Sequence, residues 1–122
     1  MKFAEQVVLH TLLTKGIVAT MRNGRYNFHL GREVDIRDFK DNIVGKARII
    51  AVFENYSIFR KLLLKYSGFK TVEEWEERAR NLNNGKLPRY IVLLRLVKKY
   101  IDDPIYTFES VDEFLSATLG EG

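Results

Sequence analysis

The hydrophobic pattern of the chain alternates between strand-like and helix-like segments. Residues 17–22 form a β-branched run that ends at Asn23-Gly24, the strongest hairpin signal in the sequence, and residues 25–30 are predicted to return as its partner strand. Val34 and Ile36 alternate with the charged Asp35 and Arg37, which predicts a half-buried strand that extends to Asp38 if this residue also faces inward. Residues 3–14 place apolar side chains near helical spacing, but part of this segment is equally compatible with a strand, so its type stays open.

Two long apolar runs predict the strands of the core. Val44 to Phe53 is the longest β-rich run in the chain. Gly45 lies near its start, where the missing side chain is expected to allow a bulge or a close backbone approach. Residues 89–100 include a continuous apolar stretch, which is the pattern of a buried central strand. A last strand is expected after Pro104.

Helices are predicted in the middle of the chain and at its end. Residues 56–66 have helical spacing. The apolar face of this helix holds Ile58, Phe59, Leu62, Leu63 and Tyr66. A capping box at Thr71 begins a second helix, which Asn83-Asn84-Gly85 ends, and Trp75 is expected to anchor that helix on the strands. The same capping signal at Ser110 predicts a short terminal helix.

The order of these elements, strands followed by two helices and then strands, predicts a single α+β domain over residues 1–122. The sequence has no cysteine, and its two histidines are isolated, so neither a metal nor a cofactor is expected. No apolar run approaches the roughly 20 residues that a membrane span requires, and the first residues lack the pattern of a signal peptide. A cytoplasmic location without membrane contact is therefore expected, and the sequence does not indicate an oligomeric state.

Charge is distributed unevenly along the chain. Residues 1–100 hold all 20 Lys and Arg against 10 Asp and Glu, a net charge of +10. Residues 101–122 hold six acidic residues and no basic one, a net charge of −6. A basic body favours polyanionic partners through phosphate neutralisation, although the same charge also keeps a small protein soluble.

Four short motifs follow one another along the chain. They are Thr20-Met21-Arg22 after Gly16, Gly31-Arg32-Glu33-Val34, Gly45-Lys46-Ala47-Arg48-Ile49, and Gly68-Phe69. Together they resemble the ASCH domains, a branch of the PUA-like β-barrels. The usual ASCH pattern is a lysine and then Thr-x-Arg, followed by Gly-Asp-x-Val, Gly-x-Ala-x-Val and a Gly-Phe pair that opens a helix. The resemblance covers residues 15–98 and implies a small PUA-like β-barrel with flanking helices at one side, which binds RNA or modified nucleosides.

The resemblance also implies a binding cleft between barrel and helices. Thr20 and Arg22 match the family's threonine and arginine, while Lys15 is the lysine nearest to the family's lysine position. Arg25 lies just beyond the hairpin turn, where a guanidinium group can grip phosphate or stack on a base. The predicted nucleic-acid-binding residues are Lys15, Thr20, Arg22, Arg25, Lys46 and Arg48.

Lys46 and Arg48 enter this prediction because they alternate with Ala47 and Ile49, so both point to one face of the predicted strand. That face would add a basic surface for the backbone of a single strand. The alternative is that these side chains only protect an exposed strand from pairing with another chain.

An enzymatic function is the main alternative. One ASCH branch resembles an amidohydrolase acting on acetylated cytidine, whose catalytic set is a lysine, a threonine and an acid just before the helix-opening segment. In this chain Ile17 and Val18 occupy the positions of the catalytic lysine, and Ser67 occupies the position of the catalytic acid. Serine is a poor general acid or base near neutral pH. We therefore expect RNA or single-stranded nucleic-acid binding without catalysis. A nucleoside amidohydrolase or ribonuclease, and a protein-interaction module that uses the aromatic helix face and the acidic tail, are the alternatives.

Overall fold

A computed structural model describes residues 1–24 and 29–100. The α-helices are α1 (Gln6–Lys15), α2 (Ser57–Leu63), followed by a short 3₁₀-helix (Leu64–Tyr66), and α3 (Val72–Leu82). The strands are β1 (Ile17–Arg22), β2 (Glu33–Arg37), β3 (Ile43–Glu54) and β4 (Tyr90–Lys99). They form a four-stranded sheet in the order β1-β4-β3-β2, and every neighbouring pair is antiparallel. The described residues are thus a mixed α+β fold, as the sequence predicts.

The last described strand, β4, is central in the sheet. It pairs with β1 on one side and with β3 on the other, and Ile91, Val92 and Leu94 are fully buried. This confirms the prediction of a buried central strand. The apolar run from Tyr90 to Leu94 occurs because both faces of β4 are covered by other parts of the protein.

Gly45 allows β3 and β4 to approach closely. A β-carbon placed on Gly45 would lie 2.8 Å from the carbonyl oxygen of Lys98, which is too close for any other residue type. The register of the two strands shifts between Lys46 and Ala47, next to this contact. The expected close approach at Gly45 is therefore confirmed, and a bulge accompanies it.

The sheet is covered by helices on both faces. One core contains Val8, Leu9 and Leu12 of α1 and also Val18 of β1. The neighbouring Ala19 points to the opposite face, where a second core contains residues of β1, β4, α2 and α3, including the buried Trp75. The two helices predicted in the middle of the chain, α2 and α3, thus share one face of the sheet. Helices are not confined to that side, since α1 covers the other face, because β1 and β4 present apolar side chains to both faces. The anchoring role of Trp75 is confirmed.

The sheet is not closed into a barrel in the described residues, where β1 and β2 are its two edges. The N-terminal segment, residues 1–5, lies against both edges instead. Lys2 forms a parallel bridge with Arg37 of β2. In this bridge the Arg37 N–H donates to the Met1 carbonyl, and the Phe3 N–H donates to the Arg37 carbonyl, each at 2.9 Å. At the other edge, the Arg22 guanidinium donates to the Lys2 carbonyl. The N-terminal segment thus links the two edges without a continuous hydrogen-bond ladder between them.

The type of the first element, which the sequence leaves open, is helical. Its buried apolar residues Val8, Leu9 and Leu12 have the spacing i, i+1 and i+4 of one helix face and pack on the sheet. The helix ends at Gly16, which has a left-handed conformation and donates its N–H to the Leu12 carbonyl. No helix among the described residues is long and apolar enough to cross a membrane.

Two other predictions differ from the observed elements. The hydrogen-bonded partner of β1 is β4, and within the predicted partner strand His29 and Leu30 have no strand structure, while residues 25–28 lie outside the described residues. The predicted apolar face of α2 is divided: Leu63 is buried, whereas Ile58 and Leu62 are 57% and 61% exposed. The strand expected after Pro104 and the terminal helix lie outside the described residues.

We predict that Gly68→Ala costs about 2–4 kcal/mol of unfolding free energy. Gly68 has a φ of +89°, and an added β-carbon would collide with Thr11 Oγ1 and press on Val7 of α1. Gly85→Ala is the matched control, since Gly85 has a φ of +84° but nothing near its β-carbon position. Only the backbone cost of about 1–2 kcal/mol is expected there. Urea unfolding of both variants measures the difference, and equal losses would contradict the close packing of α1 on Gly68.

Candidate functional site

A cleft of about 600 Å³ lies between the N-terminal segment, the end of β1 and α3. Its polar side chains come from all three parts of the structure. They are Lys2, Glu5, Thr20, Arg22, Asn23, Arg78, Asn83 and Asn84. The apolar part of the lining includes Phe3, Trp75 and Leu82. The cleft therefore combines cations, amides and apolar surface in one concave site.

The β1 wall of the cleft is built around Arg22. Thr20 and Arg22 are two residues apart on a strand, so they share a face. Arg22 Nε donates to Thr20 Oγ1 at 3.3 Å, and Arg22 Nη1 donates to the Lys2 carbonyl at 2.6 Å. The guanidinium carbon also lies 4.5 Å from the centre of the Phe3 ring, within range of a cation–π contact. These contacts fix Arg22 against the N-terminal segment.

The opposite wall is one face of α3. Trp75, Arg78 and Leu82 recur at helical spacing and all line the cleft. Thr71 fixes the start of the helix, because its hydroxyl accepts the Glu74 N–H at 3.1 Å, as the predicted capping box requires. The buried Trp75 holds the helix on the sheet, and this leaves Arg78 at the rim of the cleft.

Two polar contacts join α3 to the other walls. The Arg78 guanidinium forms an ion pair of 3.0 Å with the Glu5 carboxylate. Asn23 Nδ2 donates to Asn83 Oδ1 at 2.8 Å. The width of the cleft is therefore set by side-chain contacts that a ligand with charged or amide-like groups can compete for.

The Met1 amine, next to the cleft-lining Lys2, lies within electrostatic range of Arg22. The Met1 amine donates to the Asp35 carbonyl at 2.5 Å, and its pKa is lowered, first by burial and then by the guanidinium groups of Arg22 and Arg37. Burial disfavours a charge of either sign, so only the contribution of the guanidinium groups has the sign that favours a nearby anion.

The structure divides the predicted binding residues into separate groups. Thr20 and Arg22 line the cleft, but Lys15, Lys46 and Arg48 are not among its described lining residues. Lys15 is exposed in the last turn of α1, next to the opposite end of β1. Arg25 lies outside the described residues.

Lys46 and Arg48 occupy the sheet face opposite α1, as their alternation with the buried Ala47 and Ile49 requires. Arg48 forms an ion pair of 2.7 Å with Glu33 of β2. These two residues and the cleft are therefore parts of different surfaces.

The sequence prediction missed the cations and amides that α3 and the N-terminal segment supply. Arg78 is three positions after Trp75, so helical spacing alone could have placed it on the same face as the anchoring tryptophan. Lys2, Glu5 and Asn83 have no comparable local signal, because their positions depend on how the N-terminal segment and the end of α3 pack around β1.

The positions of the amidohydrolase motif are occupied by structural residues. Val18 is fully buried in the core beside α1. Ser67 is also fully buried, and its hydroxyl donates to the Leu64 carbonyl at 2.7 Å and accepts the Phe69 N–H at 3.0 Å. Glu5 is the carboxylate among the described lining residues. No group of three or more His, Cys, Asp or Glu in the described parts of the chain is arranged to hold a metal ion.

Comparison of the chain with known protein families, curated proteins and solved structures finds no match. The resemblance to ASCH domains consequently depends on the four motifs themselves. Two of them have a physical role in this structure: Gly45 and Gly68 lie where a side chain would collide with a neighbouring element.

We predict that Arg22→Ala lowers the unfolding free energy by about 1–3 kcal/mol, because it removes a charged hydrogen bond and a cation–π contact. Lys86→Ala is the control. Lys86 is exposed between α3 and β4 and has no ion pair within residues 1–24 and 29–100, so a change within about 0.5 kcal/mol is expected. Urea unfolding measures both values. Equal small effects would show that Arg22 does not hold the N-terminal segment.

Proposed function

We propose that this protein is an ASCH-type, PUA-like domain that binds RNA or another single-stranded nucleic acid without catalysing a reaction on it. One observation carries the proposal. Thr20 and Arg22, which match the ASCH motif, line a cleft of about 600 Å³ together with a second arginine, Arg78, from α3. Cations on facing walls of one cleft are suited to a ligand that presents negative charge along its length.

The chemistry of the lining supports a nucleotide-containing ligand. Arg22 and Arg78 provide guanidinium groups, which pair with phosphate oxygens in a planar geometry. Asn23, Asn83 and Asn84 carry amides that both donate and accept hydrogen bonds, as recognition of a base edge requires. The apolar part of the lining offers contact to a base or sugar. A bare anion would use only the guanidinium groups, and neither the amides nor the apolar part of the lining.

The shape of the site favours a single strand over a duplex. The volume is in the usual range of small-molecule pockets, roughly 300–1,000 Å³, and is therefore suited to one or two nucleotides at a time. Base edges become accessible to side chains in such a site only when the base is unstacked, as in single-stranded RNA. The proposed ligand is accordingly a single strand with one nucleotide inserted between β1 and α3.

The geometry supports binding better than hydrolysis. The buried Ser67 uses its hydroxyl in a turn, and the motif lysine's place is taken by the half-buried Ile17 and the fully buried Val18. Glu5 already pairs with Arg78. A general acid–base reaction needs a group positioned near the reacting atoms with a suitable pKa, and none of the matched positions supplies it.

A protein-interaction module is the second candidate. Tyr56, Ile58 and Leu62 are more than half exposed on or just before α2, an unusual apolar surface for so small a domain. The cleft has the stronger claim, because it combines charge, amides and concave shape. Salt dependence separates the two candidates, since apolar contacts do not release counterions.

We predict that the affinity for single-stranded RNA falls with salt along a log-log slope of roughly −2, the value for about three phosphate contacts on a single strand. The three contacts are assigned to Lys2, Arg22 and Arg78, which line the cleft. Titrations of a labelled oligonucleotide between 50 and 200 mM salt, about the usual range for such tests, measure the slope. A flat response would remove the nucleic-acid proposal and favour the protein-interaction candidate.

We predict that Arg78→Gln weakens RNA binding by about 5- to 30-fold, the loss expected for one charged contact of about 1–2 kcal/mol. Arg80→Gln removes the same formal charge from the same helix, but Arg80 is not among the described lining residues, so the loss is expected to stay below about twofold. Fluorescence anisotropy measures both affinities, with melting temperatures as a check on folding. Equal losses would mean that overall charge, and not the cleft, governs binding.

A further inference from the structure

The sheet face opposite α1 carries four cations in facing positions on two strands. Lys46 of β3 lies opposite Lys98 of β4, and Arg48 lies opposite Arg95. We call these four residues the basic patch. Three of them are exposed and Lys46 is half-buried. The basic patch is far from the cleft. Tyr90 of β4 pairs with Arg22, and Lys98 is eight residues further along β4, so Lys98 lies on the order of 25 Å from the Arg22 end of the cleft.

The basic patch is electrostatically unfavourable by itself. Like charges directly opposite each other on an antiparallel pair repel and destabilise the sheet. Glu33 neutralises Arg48 at 2.7 Å. Within residues 1–24 and 29–100, Lys46, Arg95 and Lys98 form no ion pair. A negatively charged group bound across the two strands would relieve the repulsion of both facing pairs.

The basic patch adjoins exposed apolar side chains. Ile43, Val97 and Tyr100 are 44%, 45% and 46% exposed, and all three lie at the same end of β3 and β4 as Lys98. The Lys98 ammonium is 5.7 Å from the centre of the Tyr100 ring. A partner suited to this surface therefore carries both acidic and apolar groups.

We propose that the basic patch is the docking site of residues 101–122 of this same chain. This segment has six acidic residues, no basic one, and apolar residues between them, among them Ile105, Phe108 and Phe114. It follows directly after Tyr100, whose N–H donates to the Val44 carbonyl at 3.0 Å and whose ring centre is 5.7 Å from the Lys98 ammonium, so its point of attachment is next to the basic patch. Its charge and its apolar content both complement the surface next to which it starts.

The covalent link makes this partner favourable. A tethered segment meets its docking site at an effective concentration on the order of millimolar. A chain of 22 residues reaches up to about 70 Å when extended, while Lys98 and Arg95 are about 10 Å apart along the strand. The segment is therefore long enough to contact the whole basic patch, and a weak charge-assisted contact is sufficient to keep it docked.

A nucleic acid is the competing partner for the basic patch. Its phosphates would neutralise the cations, but they would make no use of the exposed Ile43 and Val97. The patch also faces away from α1, whereas Thr20 and Arg22 lie on the α1 side of the sheet, so one strand would have to pass around the β1 edge to occupy both. The observations favour the tethered segment, and this proposal does not depend on RNA binding.

Limited proteolysis of the full chain tests the docking. Chymotrypsin cleaves after aromatic residues, and residues 101–122 contain Tyr106, Phe108 and Phe114. We expect the charge-reversed variant R95E/K98E to be cleaved in this segment three- to tenfold faster than the parent chain. The matched control is K61E/K86E, which makes the same change in net charge at two exposed positions outside the patch and is expected to stay within twofold. A free peptide of residues 101–122 gives the rate of the undocked segment.

Reversing the charge on the segment completes the experiment. D112K/E113K alone is expected to be cleaved faster than the parent, and adding it to R95E/K98E is expected to restore at least half of the protection. If the reversed patch lowers the melting temperature, the neutral variant R95Q/K98Q replaces it in the comparison with the parent chain and K61Q/K86Q is then the matched control. Equal cleavage of the parent and both patch variants would overturn the proposal. Unchanged cleavage together with loss of RNA affinity in R95E/K98E would also overturn it and assign the patch to nucleic acid.

Discussion

Burial of both faces of the strand pair β1 and β4 is the constraint on which the rest of the structure depends. Neighbouring residues of β1, Val18 and Ala19, belong to different cores, and the same alternation occurs in β4. Each face therefore needs a helical cover: α1 on one side, α2 and α3 on the other. β1 is an edge strand. The N-terminal segment before α1 and the exposed face of α3 therefore meet beyond the end of β1. The cleft is the space that these two covers leave at the β1 edge.

The residues that shape the cleft are also the residues proposed to bind in it. Arg22 fixes the N-terminal segment through the Lys2 carbonyl and the Phe3 ring, so its proposed role in binding is coupled to its role in folding. The sequence places Arg22 beside the Asn23-Gly24 turn and in the predicted cleft, and the structure adds that its side chain is half-buried, with several contacts to the protein itself. Arg78 separates the two contributions better, because its side chain is 55% exposed and its partner Glu5 lies across the cleft.

Features with a local cause could be predicted from the sequence, and features that depend on strand pairing could not. The Thr71 cap, the stop after α3 and the burial of β4 follow from short-range chemistry, and all three are observed. Alternation along β3 correctly places Lys46 and Arg48 on one face, but only the sheet order shows that this face is away from the cleft. The Asn23-Gly24 signal is equally local, yet β1 pairs with a strand that begins almost 70 residues later. The place of Arg78 in the cleft could have been predicted from helical spacing. The places of Lys2 and Asn83 could not, because they depend on tertiary packing.

The packing around Gly68 shows why one substitution at Ser67 is not sufficient to place an acid of the amidohydrolase motif in the cleft. Phe69 packs against both cores, and Gly68 leaves room for α1 at a point where any β-carbon would collide with Thr11. Ser67 is fully buried beside them, with its hydroxyl bonded within the turn. A carboxylate placed there would lose its hydration, and burial without a paired cation raises its pKa and destabilises the fold. The turn has to move toward the cleft before an acid at this position can act on a ligand, and the packing of α1 on Gly68 opposes that movement.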